Sequence, residues 1–322
     1  MIYHLLRWIS GIALHWFYGD IRIVGKEKIP ASGPLLVAVN HQNALVDSLI
    51  TGWVMPRKIV MTAKATLTDN AFIALLFGIL GVVPLRRASD ESRKQNDSPL
   101  DRSRNTGAFR EILDVLQRSG AVLIFPEGKS HNETGLEPLR TGLARLALKA
   151  RDERISGVQI LPLGLVFEDK GVPGSVVGVR VGDVIEVDSW PDSNTTALTE
   201  HVAQRLRNVS EEAGMPLPRP ADIADESVPK RPLIAIAAAW GRLTHRVPIR
   251  IARRLALKRS TNADEPAMLT IIFGIGLVLS TYVLQIAVVD ALLNSFWISA
   301  LYLASLLIGA YWAAFEKHPQ RY

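Results

Sequence analysis

Cysteine is absent from all 322 residues, which excludes disulfides, thiolate nucleophiles and cysteine-ligated zinc, and removes any sign of an oxidising compartment. No pair of histidines stands beside carboxylates at metal-ligand spacing, so no metal site is expected. Charge is missing from residues 267–289, which are 23 positions long, and again from 291–315, which are 25. Each run can cross a hydrocarbon core of roughly 30 Å as a helix. Both are apolar on every face, which sets them apart from one-sided core helices. With Asp290 alone between them and Asn294 close by, they predict a transmembrane hairpin over 266–316. Acid is missing from Lys230 to Arg259, where nine Lys or Arg residues stand unopposed just before the first span. The positive-inside tendency places that block, and hence the bulk of the chain, on the cytoplasmic side of a cytoplasmic membrane. Its neighbour is a membrane segment, so anionic membrane lipids are the expected partner and no nucleic acid is.

What remains is organised as an α/β pattern. Ile2, Leu5, Leu6, Ile9, Ile12, Ala13, Trp16 and Phe17 recur at three- and four-residue steps. That spacing predicts an N-terminal helix over 1–20, either amphipathic and interfacial or the first helix of the core. Short apolar strands follow at 21–24, 35–38, 59–61, 81–87, 122–125 and 160–167, with a weaker strand pair at 176–181 and 184–187. Helical periodicity falls between them, at 43–54, 72–80, 109–116, 138–150 and 198–208. The alternation predicts a catalytic α/β domain over 21–215, built as a central mixed sheet flanked by helices. Pro216, Pro218 and Pro220 open a linker and basic amphipathic segment over 216–265.

Chemistry is concentrated where these strands end. The strand Leu35-Leu36-Val37-Ala38 runs into Val39-Asn40-His41, and Asp47 follows six residues later. An imidazole whose one nitrogen is held by a carboxylate can take a proton on the other, which makes His41 a candidate general base and Asp47 its orienter. Six steps along a regular helix would set the two about 120° apart, so they must meet across a strand-to-helix turn. Arg86 and Arg87 close another strand, and a guanidinium grips phosphate through paired hydrogen bonds. Glu127 and Gly128 follow the strand 122–125, with Lys129, Ser130 and His131 on the same loop as further candidates for phosphate or donor contacts. The remaining histidines (His4, His15, His201, His245 and His318) have no evident partners and read as surface or interfacial residues.

Four blocks, N-H-x5-D at 40–47, G-x-x-P-x-R-R at 81–87, F-P-E-G-x-S-H at 125–131 and L-P-L-G at 161–164, resemble in order and spacing those of the glycerophospholipid acyltransferase superfamily. The resemblance covers roughly Ile21 to Phe167. Most of that superfamily has four residues between His and Asp; here there are five, with Val46 where the usual Asp would stand. The longer spacing, like the segment 125–131, resembles a subset acting on glycerol-3-phosphate or dihydroxyacetone phosphate. The resemblance implies His41 and Asp47 as catalytic, Arg87 with Arg86 as the acceptor's phosphate grip, Glu127 and Gly128 as acceptor contacts, and Pro162 as part of a donor block. It implies an integral membrane O-acyltransferase of phospholipid biosynthesis. The acyl group would pass from acyl-CoA or acyl carrier protein to a hydroxyl of glycerol-3-phosphate or a lysophospholipid, with no cofactor. Remodelling of another lysophospholipid, and a catalytically silent lipid-binding protein of the same fold, are the other readings left open.

Overall fold

The computed structural model describes residues 2–69, 78, 81–85, 106–131, 135–191, 193–210, 232–262 and 265–315. The expected helix 72–80, the polar loop 88–105, the proline-rich linker, the tail 316–322, and Arg86 and Arg87 lie largely or wholly outside these residues.

Among the described residues the central sheet has eight strands: β1 (Asp20–Val24), β2 (Leu35–Val39), β3 (Ile59–Lys64), β4 (Val83–Leu85), β5 (Ala121–Ile124), β6 (Gln159–Phe167), β7 (Val176–Val181) and β8 (Ile185–Glu186). They lie in the order β1-β7-β6-β2-β5-β3-β4, with β8 also on β6. The five from β6 to β4 run parallel, whereas β7 and β8 are antiparallel to β6. The sheet is therefore mixed. The two weak strands do not pair with each other as the sequence suggests; both add to β6, β7 near its carboxyl end and β8 at its start.

All five residues of β2 are buried, because helices cover both faces of the sheet. Leu35, Val37 and Val39 join one core with Ile21, Val46, Ile50 and Leu163, while Leu36 and Ala38 join a second with Ile112, Leu116, Val122, Leu146 and Val202. The first core belongs to α1 (Ile2–Phe17) and α2 (Ala44–Val54), the second to α3 (Thr106–Gln117), α4 (Gly142–Asp152) and α5 (Thr195–Ser210). Helix α4 begins at Gly142, four residues later than its sequence pattern suggests, since Leu136–Arg140 stay irregular and Arg140 N–H bonds the Pro126 carbonyl at 2.8 Å. Helix α1 is divided between core and surface. Leu14 and Phe17 are core residues, whereas Ile2, Leu5 and Trp8 remain exposed.

Three helices form the C-terminal unit: α6 (Pro232–Arg259), α7 (Glu265–Leu293) and α8 (Phe296–Phe315). Helices α7 and α8 are long and apolar enough to cross a membrane, with mean hydropathies of 2.2 and 1.7 over their best windows. Leu279, Val283, Leu284, Trp297 and Leu301 point outward, a surface that water would penalise and lipid accepts. Asn294 at φ 39° ends α7 in the left-handed conformation that asparagine tolerates, and its N–H caps the Asp290 carbonyl at 2.7 Å.

Helix α6 packs against both α7 and α8. Gly241 faces Gly309 so closely that a Cβ at Gly241 would overlap the Gly309 carbonyl. His245, expected at the surface, is buried there: Nδ1 lies 2.8 Å from the Gly241 carbonyl and Nε2 2.5 Å from the Tyr282 hydroxyl. Its partners come from a distant helix and from the backbone, neither visible as a local pattern.

Replacing Gly241 by valine forces the α6–α8 crossing apart at a cost of about 1–3 kcal/mol. The thermal unfolding midpoint in detergent should fall, while Gly276→Ala, where an added Cβ meets nothing within 4 Å, should leave it close to wild type.

Candidate functional site

Strands β6, β2 and β5 are neighbours and parallel, so their carboxyl ends meet at one edge of the sheet, the usual position for a ligand crevice in such folds. His41 lies two residues beyond β2, and Asp47 lies in the first turn of α2. The turn between them brings His41 Nδ1 to 3.0 Å from Asp47 Oδ2. The same oxygen accepts the Asn43 backbone N–H at 2.7 Å, so one carboxylate holds both the ring and the turn. The start of a helix favours a negative side chain. Ala44 takes φ 44°, unusual for a residue with a Cβ, and its N–H donates to Ser130 Oγ at 3.2 Å.

Asn40 sets the approach to this turn. Its Nδ2 donates to the Leu165 carbonyl at 2.9 Å and its Oδ1 accepts the Leu165 N–H at 2.7 Å. The amide thus extends the β2–β6 ladder by one rung and aims the next residue. Phe125 stacks on the imidazole with centroids 3.9 Å apart and planes 13° from parallel. With Nδ1–H donated to Asp47, Nε2 carries the lone pair, and it has no hydrogen-bond partner among the described residues.

Glu127 is buried, and both of its carboxylate oxygens accept from donors of the chain itself. Oε1 accepts the His41 backbone N–H at 2.7 Å; Oε2 accepts the Glu137 N–H at 3.0 Å and pairs with His131 Nε2. His131 N–H in turn donates to the His41 carbonyl at 3.1 Å. Gly128 adopts φ 79° at the end of the turn from Phe125, a conformation that favours glycine. Of the other loop candidates, Lys129 pairs with Glu137 at 3.0 Å and Ser130 caps α2.

Pro162 lies inside β6, not at its end, and pairs with Ala38. Its carbonyl accepts the Gly182 N–H at 2.9 Å, in the gap between the segments of β6 bound by β8 and by β7. The N–H that proline lacks would face the same gap, so no ladder bond to β2 is lost. Arg86 and Arg87 directly follow β4, which runs parallel to β3, but neither is among the described residues.

Three contributors were not singled out from the sequence. Tyr18 donates to the Lys170 carbonyl at 3.0 Å and accepts Asn43 Nδ2 at 2.8 Å. Burial, and then the nearby Asp47 charge, push its phenol up, so it stays protonated as a donor. Lys170 Nζ donates to the Gln42 carbonyl at 2.8 Å and the His131 carbonyl at 3.3 Å, tying the two loops together. Asn40 was visible as part of the N-H pair, whereas no local pattern marks Tyr18 or Lys170, which act from other elements.

Residues 20–166 match the Acyltransferase family. Glycerol-3-phosphate O-acyltransferase 2 of Saccharomyces cerevisiae is 30% identical over 118 residues, which cover 34% of this chain and 16% of that protein. The 1-acyl-sn-glycerol-3-phosphate acyltransferase of Borreliella burgdorferi is 26% identical over 213 residues, covering 63% of this chain and 75% of that protein. A solved structure, the 1-acyl-sn-glycerophosphate acyltransferase of Thermotoga maritima, is 19% identical, covers 65% of this chain and 79% of that one, and gives a TM-score of 0.49. The chain spans less than two fifths of the length of the yeast relatives it matches.

Removing the Glu127 carboxylate strands three buried donors. Each unsatisfied group costs about 1–3 kcal/mol, so Glu127→Ala should lower the unfolding midpoint markedly. Glu127→Gln, which keeps an acceptor oxygen, should lose less; equal midpoints for the two variants would contradict the bonding described.

Proposed function

From the match of residues 20–166 to the Acyltransferase family, we propose that this chain belongs to the glycerophospholipid acyltransferase superfamily and transfers a fatty acyl group from a thioester to a hydroxyl of a phosphate-bearing glycerol acceptor. The observation that carries this reading is the His41–Asp47 pair, 3.0 Å apart at the carboxyl end of β2. A thioester is already activated, so no serine or cysteine intermediate is needed. His41 Nε2 takes the proton of the acceptor hydroxyl as its oxygen attacks the thioester carbonyl. Asp47 stabilises the imidazolium that forms and keeps the ring turned to receive the proton. Collapse of the tetrahedral intermediate breaks the carbon–sulfur bond. The imidazolium returns its proton to the leaving sulfur, and an ester and a free thiol result.

Arg87, with Arg86 beside it, would hold the acceptor's phosphate, since a guanidinium fits that group bidentately. Glu127, held by the His41 and Glu137 backbone N–H groups and by the His131 ring, would help to bind the acceptor beside His41. Gly128 supplies the turn, and Pro162 lies in the strand beside β2 on the donor side of this assignment. Acceptors named for the relatives, glycerol-3-phosphate and 1-acyl-sn-glycerol-3-phosphate, both carry the phosphate that these arginines suit. Acyl-CoA or acyl carrier protein is the donor. Helices α7 and α8 would anchor the enzyme in the cytoplasmic membrane, with the sheet and the Arg253 end of α6 on the cytoplasmic side.

Thiol release from acyl-CoA or acyl carrier protein, measured with each acceptor, tests the reading. His41→Ala should reduce turnover by ~10²–10⁴-fold, and turnover that survives the change removes His41 as the base. Asp47→Asn should lower kcat with little change in acceptor KM, whereas Arg87→Ala should chiefly raise that KM. A pure affinity loss in the aspartate variant would reassign its role.

A further inference from the structure

A cleft of about 490 Å³ lies between α1, α6, α7 and α8, away from His41. Its walls are hydrocarbon and indole: Ile12 and Trp16 from α1, Ile249 from α6, Ile271 and Ile275 from α7. Along α7 it extends from Thr270 to Tyr282, which is about 18 Å of helix. That is slightly more than half of a hydrocarbon core of roughly 30 Å, the depth of a single leaflet.

Charge is confined to one end. Arg250 and Arg253, three residues apart and so on one face of α6, line the cleft beside Thr270. Arg253 donates to the Gly171 carbonyl at 2.8 Å, lies 3.5 Å from Thr270 Oγ1 and feels the charge of Asp169. Arg250 is exposed and has no partner among the described residues. The opposite end is closed by the His245–Tyr282 pair. A leaflet-deep apolar slot with two guanidinium groups at its head has the polarity of one phospholipid: phosphate at the arginines, chain along α7.

We propose that this cleft binds one acyl chain of an anionic membrane phospholipid, with the lipid phosphate held by Arg250 and Arg253. The site is separate from the His41 centre, and its occupation does not depend on acyl transfer.

Trp8 and Trp16 line the cleft and supply the test. The full chain is placed in phosphatidylcholine nanodiscs, and tryptophan quenching is followed as phosphatidylglycerol brominated on its acyl chains is added. A saturable component at low mole fraction is expected, absent when the brominated lipid is phosphatidylcholine. Loss of headgroup attraction in the Arg250→Gln/Arg253→Gln double variant should shift that component to roughly tenfold higher mole fraction or more. Gly274→Leu, which pushes a side chain into the cleft from the α7 wall, should abolish it while leaving both arginines in place. Quenching that rises linearly with mole fraction and is the same for both lipids, or that neither substitution changes, would mean ordinary contact with bulk lipid and would overturn the proposal.

Discussion

The candidate site depends on one buried carboxylate. Asp47 accepts the imidazole of His41 and the backbone N–H of Asn43 on a single oxygen, and so holds the ring and the turn that delivers it. Neither can move alone. The sharp passage from β2 into α2, with Ala44 left-handed, is stabilised by the same contact that sets the imidazole tautomer. The carboxylate lies near a helix N-terminus and out of water, where its hydrogen bonds are little weakened by solvent.

A second buried knot supports the first from the β5 side. Glu127 gathers donors from three separate places in the chain, and the His41 and His131 backbones are bonded directly to each other. Lys170 reaches across from the loop after β6 to the carbonyls of Gln42 and His131. These shared bonds place the motif residues of two strands in one connected unit. Glu127 is thereby a keystone of this unit.

Much of this architecture is legible in the residues alone. Strands β2, β5 and β6 announce themselves as continuous apolar runs because both faces of the sheet are covered, and the charge-free stretches mark α7 and α8 by length. The meeting of His41 with Asp47 follows from their six-residue spacing, which no straight helix would serve. What stays hidden is whatever depends on distant partners. His245 carries no local sign that Tyr282, thirty-seven residues on, will accept it in the interior. Likewise the donors that gather on Glu127, and the ladder gap at which Pro162 sits inside β6, depend on partners elsewhere in the chain. Helix α6 reads as a basic amphipath, and only the small side at Gly241 hints that another backbone lies against it.

Helix α1 joins two environments. Its Leu14 and Phe17 belong to the sheet's core, while Trp16 Nε1 donates to the Ala310 carbonyl of α8 at 3.1 Å and His15 packs on Phe315 with ring centroids 4.6 Å apart. With α7 and α8 in a bilayer, the sheet is bolted to its anchor and cannot swing like a head on a flexible stalk. The altitude of the His41 ring above a lipid surface would thereby be set by the fold, and any partner would have to travel to that level to meet it.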